Sequence, residues 1–159
     1  MPANQSNINR ENELKILSGT KSEQILALKE AASKDEGNSQ TLSKLGQLLV
    51  SSQKFDEAVK VYQKIYDLDP NDPRSSNSLG VVLMIAGYQA PSIEYLAKAV
   101  SLAPDNLVFK ANLGKAHMMA RHWREAVDCF NSVLSIPGAQ NSGQLIELRE
   151  ECLANISAA

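Results

Sequence analysis

The sequence has few residues of the types that build disulfide frameworks, metal centres or catalytic clusters. Its 159 residues include two cysteines, Cys129 and Cys152, with two histidines and one tryptophan. Two cysteines are too few for a disulfide framework, which favours a reducing, cytoplasmic compartment. We interpret both as small apolar helix residues, because a reactive thiol needs a positive neighbourhood that the sequence does not establish.

Neither charge of one sign nor long hydrophobic runs dominate the chain. Sixteen basic and eighteen acidic residues give a net charge of −2, so no basic field favours nucleic acid as a partner. No apolar run approaches the ~18 residues of a membrane span, and residues 1–10 lack the apolar core of a secretory signal. We therefore expect a soluble protein without direct membrane insertion.

A spacing of 34 residues organises what is present. Gly46, Gly80 and Gly114 are 34 residues apart, each follows a leucine, and Pro70 and Pro104 keep the same step. A 34-residue period of helix-turn-helix units is typical of stacked repeat arrays. The period predicts a protein that works by binding along a surface.

The N-terminal part of the chain precedes the clear repeats. Residues 1–19 are predicted to be disordered or frayed, since they begin with a polar stretch. A capping box of Thr20 and Glu23 begins a helix over about 22–33, which forms a degenerate half-repeat at 20–37. Apolar residues before it would form one helical turn: Leu14, Ile16 and Leu17.

Three repeats and a terminal helix follow. Their predicted bounds are 39–72, 73–106 and 107–140 for the repeats and 142–159 for the capping helix. Apolar residues at i, i+3 and i+7 spacing predict the buried faces. These positions are Leu42, Leu45, Leu49, Ala58, Tyr62, Ile65, Leu79, Leu83, Leu96, Ala99, Leu113, His117, Ala126, Phe130, Val133, Leu145, Leu148, Cys152 and Ile156.

The repeat glycines stand inside predicted helices. A glycine there costs ~1 kcal/mol relative to alanine. We expect a partner helix to cross at each glycine, where a side chain would hold it away.

These landmarks resemble the tetratricopeptide repeat over about residues 39–138. The matching residues are Leu45-Gly46, Ala58, Tyr62, Pro70, Leu79-Gly80, Leu96, Ala99, Pro104, Leu113-Gly114, Ala126 and Phe130. The chain departs from the family pattern at Leu49, Leu83, Ser92, His117 and Gly138. The resemblance implies an all-α, right-handed α-solenoid of three helical hairpins, with the half-repeat before them and the capping helix after them. It also implies that the first helices line a concave groove that holds a peptide or helix of a partner.

Helical steps of ~100° per residue, taken from each repeat glycine, place a second set of residues opposite the core. The predicted groove residues are Gln40, Ser43, Gln47, Arg74, Asn77, Val81, Met84, Ile85, Val108, Ala111, Lys115, Met118 and Met119. The second and third repeats contribute an apolar, methionine-bearing stripe, which suits an adaptable binding surface. Arg74 and Lys115 would hold acidic groups, and Asn77 would bond a peptide backbone. The alternative is that Ile85, Met118 and Met119 pack against neighbouring helices or against the N-terminal segment.

Residues that could form a metal-binding or catalytic site are interpreted as structural. His117 and His122 are five residues apart and are not expected to share a helix face; a packed His117 is favoured over a metal ligand. Tetratricopeptide domains that clamp acidic chaperone C-termini use lysine and asparagine where this chain has Ser43 and Gln47, and a later basic residue where it has Ala111. That clamp is therefore rejected. No nucleophile–base or metal constellation is found, so we predict no enzyme, cofactor or metal.

The leading hypothesis is a non-enzymatic interaction scaffold with a protein partner. The stretches Leu79–Val82, Ala103–Asn106 and Pro137–Ala139 also look like the tetratricopeptide protein of tight-adherence (Flp-type) pilus assembly. Three repeats with short helical ends resemble the architecture of secretion chaperones that hold translocator proteins. A self-associating scaffold, in which one copy occupies the groove of another, is the remaining alternative.

Overall fold

The computed structural model describes residues 19–158, and this part of the chain is helical with connecting turns and no strand. Its helices are α1 Lys21–Lys34, α2 Ser39–Ser51, α3 Phe55–Leu68, α4 Pro73–Ile85, α5 Gln89–Leu102, α6 Leu107–Met119, α7 Trp123–Leu134 and α8 Gly143–Ser157. The predicted all-α class is confirmed. None of these helices is long and apolar enough to cross a membrane. The predicted disorder of the first residues, and the helical turn at Leu14, Ile16 and Leu17, lie outside the described residues.

Helix starts follow from capping side chains. At α1, the Thr20 hydroxyl accepts a bond from the Glu23 amide, and the Glu23 carboxylate accepts one from the Thr20 amide at 2.8 Å. At α4, Asp72 Oδ1 accepts a bond from the Arg74 amide at 3.1 Å, and Pro73 is the first helical residue. Proline suits that position because its missing amide would have no helical partner. Both predicted helix starts are confirmed.

The turn inside each hairpin repeats the same backbone geometry. Gln53, Gly87 and Arg121, which are 34 residues apart, adopt positive φ angles of 59°, 88° and 59°. The next amide in each case donates to a carbonyl five residues earlier, for example from His122 to His117 at 2.9 Å. A left-handed conformation costs a residue with a Cβ about 1–2 kcal/mol. Only Gly87 avoids that cost, so the turn geometry is imposed by the packing of its helices.

The repeat glycines lie where the two helices of a hairpin cross. A Cβ added at Gly46 would meet the Tyr62 ring at 2.8 Å, one at Gly80 would meet Leu96 Cγ at 2.6 Å, and one at Gly114 would meet the Phe130 ring at 2.6 Å. Each contact joins residues 16 positions apart. The predicted close approach at matching crossings is confirmed.

The described helices belong to two compact units, which are divided between Leu68 and Asp69. In the first unit the buried apolar residues are Ile25, Ala27, Leu28, Leu42, Leu45, Leu49 and Ala58. In the second they include Leu79, Leu83, Leu96, Ala99, Phe109, Ala126, Phe130, Val133, Leu145 and Cys152. Most predicted core positions are therefore buried. Six of them are only half-buried: Tyr62, Ile65, Leu113, His117, Leu148 and Ile156.

Candidate peptide-binding surface

The first unit offers polar side chains at its predicted groove positions. Gln40 and Gln47 are exposed on α2, and Ser43 is half-buried. Gln47 also lines a shallow surface cavity of about 420 Å³ whose apolar part is formed by Leu28 and Leu48. Amides and hydroxyls of this kind provide hydrogen bonds and little apolar area.

The second unit offers apolar side chains that its core does not use. Val81 and Met84 on α4 are half-buried, so they are not sealed inside the packing. Ile85 is 43% exposed on the same helix, and Val108 and Met119 on α6 are 63% and 48% exposed. Because α4 and α6 contact each other within this unit, the two helices present these side chains from neighbouring elements. We call Val81, Met84, Ile85, Val108 and Met119 the apolar set.

An amide pair that the sequence did not indicate joins the two helices. Asn77 Oδ1 accepts a hydrogen bond from Asn112 Nδ2 at 2.9 Å, and both residues are half-buried. The Asn77 side chain predicted to meet a peptide backbone thus already has a partner within the fold. The sequence signal that could have predicted this pair is its spacing of 35 residues, close to one repeat. That spacing places the two amides on the first helices of successive repeats.

Two predicted groove residues share in the packing of the C-terminal end. Ala111 and Met118 are half-buried and pack against a buried cluster that contains Phe130, Leu145 and Cys152. For Met118 this packing favours the alternative interpretation over a free groove position. Its neighbour Met119 remains exposed, and its carbonyl accepts a hydrogen bond from Gln89 Nε2 at 3.2 Å.

The predicted cationic residues differ in their surroundings. The side chain of Arg74 is 84% exposed and lies 3.3 Å from Asp72 through Nε. An exposed pair of this kind contributes about 0–1 kcal/mol, so a partner carboxylate competes with it readily. Lys115 on α6 is half-buried.

The two histidines do not share a helix face, as predicted, but the turn between α6 and α7 brings them together. His117 Nδ1 and His122 Nδ1 are 3.4 Å apart. Helical periodicity could not predict this contact, because α6 ends at Met119 and the chain reverses before α7. Burial lowers the pKa of His117, His122 lowers it further, and Glu125 opposes the shift.

The cysteines show no sign of activation. Cys152 is buried and Cys129 half-buried. Burial is the main cause that raises the pKa of both thiols, and Asp128 and Glu125 raise that of Cys129 further. A raised pKa disfavours the thiolate, which is the nucleophile. The geometry matches their interpretation as packing residues.

Comparisons with protein families and solved structures place this geometry among known folds. A family model described as TPR repeat matches residues 46–87, and one described as Tetratricopeptide repeat matches residues 73–106. A crystal structure of the MamA protein is similar over 99% of this chain and 90% of its own, with 21% identity and a TM-score of 0.71. These likenesses show the fold.

The names of two further relatives state a ligand or a role. The first TPR of Spaghetti (RPAP3), bound to the HSP90 peptide SRMEEVD, is similar over 77% of this chain and 96% of its own, with 20% identity and a TM-score of 0.68. A peroxisomal targeting signal receptor of Kluyveromyces lactis is 26% identical over 97 residues. That match spans 61% of this chain and 17% of the receptor.

Proposed function

We propose that this chain, which is built of tetratricopeptide repeats, is a non-enzymatic scaffold that binds a helix or peptide of a partner protein. Tetratricopeptide-repeat proteins mediate protein–protein interactions, and the RPAP3 domain is bound to an HSP90 peptide. Both findings support a protein ligand. The surface and the ligand chemistry are argued from this chain's own residues.

The observation that carries the proposal is the apolar set on α4 and α6. Ile85, Val108 and Met119 are each more than 40% exposed, although buried neighbours on the same helices already form the core. Apolar side chains gathered on one surface, as opposed to scattered singly, mark interaction sites. Methionine adds an unbranched, polarizable thioether that adapts to irregular ligand surfaces. We propose that the partner lays apolar side chains on this set.

The charged residues beside the apolar set indicate which kind of partner segment would bind. Arg74 and Lys115 are the cations predicted beside the apolar set, so the partner segment would carry acidic residues next to its apolar ones. The acidic C-terminal clamp is not proposed, because Ser43, Gln47 and Ala111 stand where that clamp has its lysine, asparagine and later basic residue. An amphipathic helix with an acidic edge fits the set best.

The decisive experiment compares two leucine-sized residues of equal exposure. Ile85 at the end of α4 is 43% exposed and Leu102 at the end of α5 is 40% exposed. Ile85→Glu should weaken capture of the native partner at least about tenfold, or about 1.4 kcal/mol, because a carboxylate would be desolvated against apolar side chains. Leu102→Glu should leave capture unchanged, because Leu102 lies on a second helix.

The partner is identified by photo-crosslinking from position 85 in the native source, followed by mass spectrometry. The double variant Val81→Glu, Met84→Glu should abolish the same crosslink while circular dichroism shows the fold intact. Equal crosslinking by wild type and the folded double variant would contradict the proposed surface.

The cellular setting is proposed from the resemblance to the tetratricopeptide protein of tight-adherence (Flp-type) pilus assembly. We propose assembly of a larger complex such as a pilus or secretion system, in a cytoplasmic location, with a secretion-type chaperone holding a translocated client as the second candidate. In the first case the crosslinked partner is an assembly component, and in the second it is an exported client. A self-associating scaffold predicts a sedimentation coefficient that rises with concentration, and a monomer throughout removes it.

A further inference from the structure

The turn between α6 and α7 places the only two histidines of the sequence against each other. His117 and His122 face each other through Nδ1, with 3.4 Å between the two nitrogens and 5.6 Å between the ring centres. We infer that this pair binds a divalent transition-metal ion, with Zn²⁺ as the best fit, through both Nδ1 atoms. The inference is independent of the proposed partner-binding surface.

The distance itself points to a tetrahedral ion. Two nitrogens that each lie about 2.0–2.1 Å from zinc, at a tetrahedral angle, are about 3.3–3.4 Å apart. The right-angled geometry of Cu²⁺ or Ni²⁺ would require about 2.9 Å. The observed 3.4 Å therefore matches the spacing of two nitrogens bound to zinc.

The proton inventory of the pair is compatible with metal binding. Without a metal, a single proton between the two Nδ1 atoms makes an N–H···N hydrogen bond, so one ring is protonated at Nδ1 and the other at Nε2. With a metal, both Nδ1 lone pairs face the ion and both neutral rings carry their proton on Nε2. The change is a tautomeric shift in one ring and needs no net release of protons.

The backbone pre-organises this geometry. The His122 amide donates to the His117 carbonyl at 2.9 Å, and the Arg121 amide donates to the Met118 carbonyl at 3.0 Å. Arg121 takes its left-handed conformation at the same turn. Equivalent turns at Gln53 and Gly87 have this backbone but no histidine pair, so the fold supplies the turn and the sequence supplies the ligands here alone.

The exposure of His122 and the charged groups beside it affect how tightly the pair would bind an ion. His122 is exposed and lines a surface cavity of about 340 Å³ together with Trp123 and Ile156. Arg121, Arg124 and Glu125 line it too, so one carboxylate and two guanidinium groups lie beside His122. Within residues 19–158 no third histidine, cysteine or acidic ligand completes the group. We therefore expect weaker binding than at a four-ligand structural zinc site.

The test uses the fact that the chain has two imidazoles. Long-range ¹H–¹⁵N spectra of the full chain are recorded during titration with ZnCl₂ alone. The expected result is that the Nδ1 resonances of both histidines move at a shared zinc concentration, with both rings protonated at Nε2 in the bound state and one ring changing its tautomer. Spectra in which the Nδ1 resonance of only one ring moves, or of neither, would overturn the inference.

Variants locate the ion and separate it from the thiols. His117→Gln and His122→Gln should each weaken zinc binding by calorimetry at least about tenfold, whereas Cys129→Ser should not change it. Since His122 is exposed, its variant is expected to fold, which circular dichroism checks. Zinc affinity that survives both histidine variants, or that is lost in Cys129→Ser, would show that the ion lies elsewhere.

Charge variants add a second measurement of zinc affinity, which would not change if the histidine pair had only a structural role. Removing a guanidinium by Arg124→Gln should tighten zinc binding, and removing the carboxylate by Glu125→Gln should weaken it, because both groups line the cavity beside His122. Unchanged affinity in both variants would contradict a metal at this position.

Discussion

At the scale of single residues, the three repeat glycines are needed because the facing helix leaves no room for a side chain, and not because the backbone requires a conformation special to glycine. Their helices are regular, and the atoms that a Cβ would meet belong to the facing helix. At Gly80 the added carbon would also meet the backbone of the facing helix, because it would lie 2.6 Å from Leu96 Cγ and 3.1 Å from the Leu96 backbone nitrogen. A side-chain atom can rotate away, but a backbone nitrogen inside a helix cannot.

Gly80→Ala should therefore destabilise the protein by about 1–2 kcal/mol in urea unfolding. Overpacking costs about 1–3 kcal/mol, and alanine recovers up to about 1 kcal/mol of helix propensity. Gly143→Ala is the matched control, because nothing lies within 4 Å of its added carbon, and it should be neutral or stabilising. Equal stability of Gly80→Ala and wild type would mean that the crossing is looser than the distances indicate.

The same residues show what the sequence could predict. The leucine–glycine pairs keep phase over three units, so their spacing alone indicated the crossings. His117 and His122 show where such reasoning ended, since helical periodicity places residues only while the helix continues. The turn that brings them together depends on Arg121 in a left-handed conformation, which arginine does not signal.

At the scale of elements, some of the described helices begin at a side chain that accepts a bond from a free amide, and others have no such cap. Asn106 Oδ1 accepts bonds from the amides of Val108 and Phe109 at 3.0 and 3.2 Å, at the start of α6. Ser142 stands at the same position before α8 but makes no side-chain cap bond. The two residues form a natural comparison of a capped and an uncapped helix start.

Asn106→Ala should cost about 1 kcal/mol, the usual loss for an N-cap. Ser142→Ala should change the free energy of unfolding by less than about 0.5 kcal/mol, because no bond is removed. Both are measured by urea unfolding at one pH. A loss at Ser142 equal to that at Asn106 would assign the effect to something other than the cap.

The candidate site was predictable only in part, for a reason that lies in the helices. Periodicity identified the side of α4 and α6 that carries Ile85, Val108 and Met119. It did not show that Asn77 is bonded to Asn112, or that Met118 packs against the buried cluster around Phe130. Both facts depend on how neighbouring helices are placed, which no single helix encodes.

At the scale of the whole molecule, a repeat array needs an end that hides the last apolar face. In the second unit α8 has that role, since Leu145 and Cys152 join the buried cluster around Phe130. Its remaining faces are mostly polar and exposed. The terminal helix is therefore expected to stabilise the protein by covering the apolar face of the preceding helix, and not through interactions within α8 itself.

Deleting residues 143–159 should lower the free energy of unfolding by at least about 3 kcal/mol, since burying one leucine is worth about 1.5–3 kcal/mol and several apolar residues lose their cover. The exposed face should also make the shortened chain associate with rising concentration in sedimentation. Leu153→Ala, at a position 38% exposed on the same helix, should shift stability by less than about 0.5 kcal/mol. A shortened chain that stays monomeric and as stable as wild type would show that the array ends at α7, because the cluster around Phe130 would then be sufficient without its last neighbour.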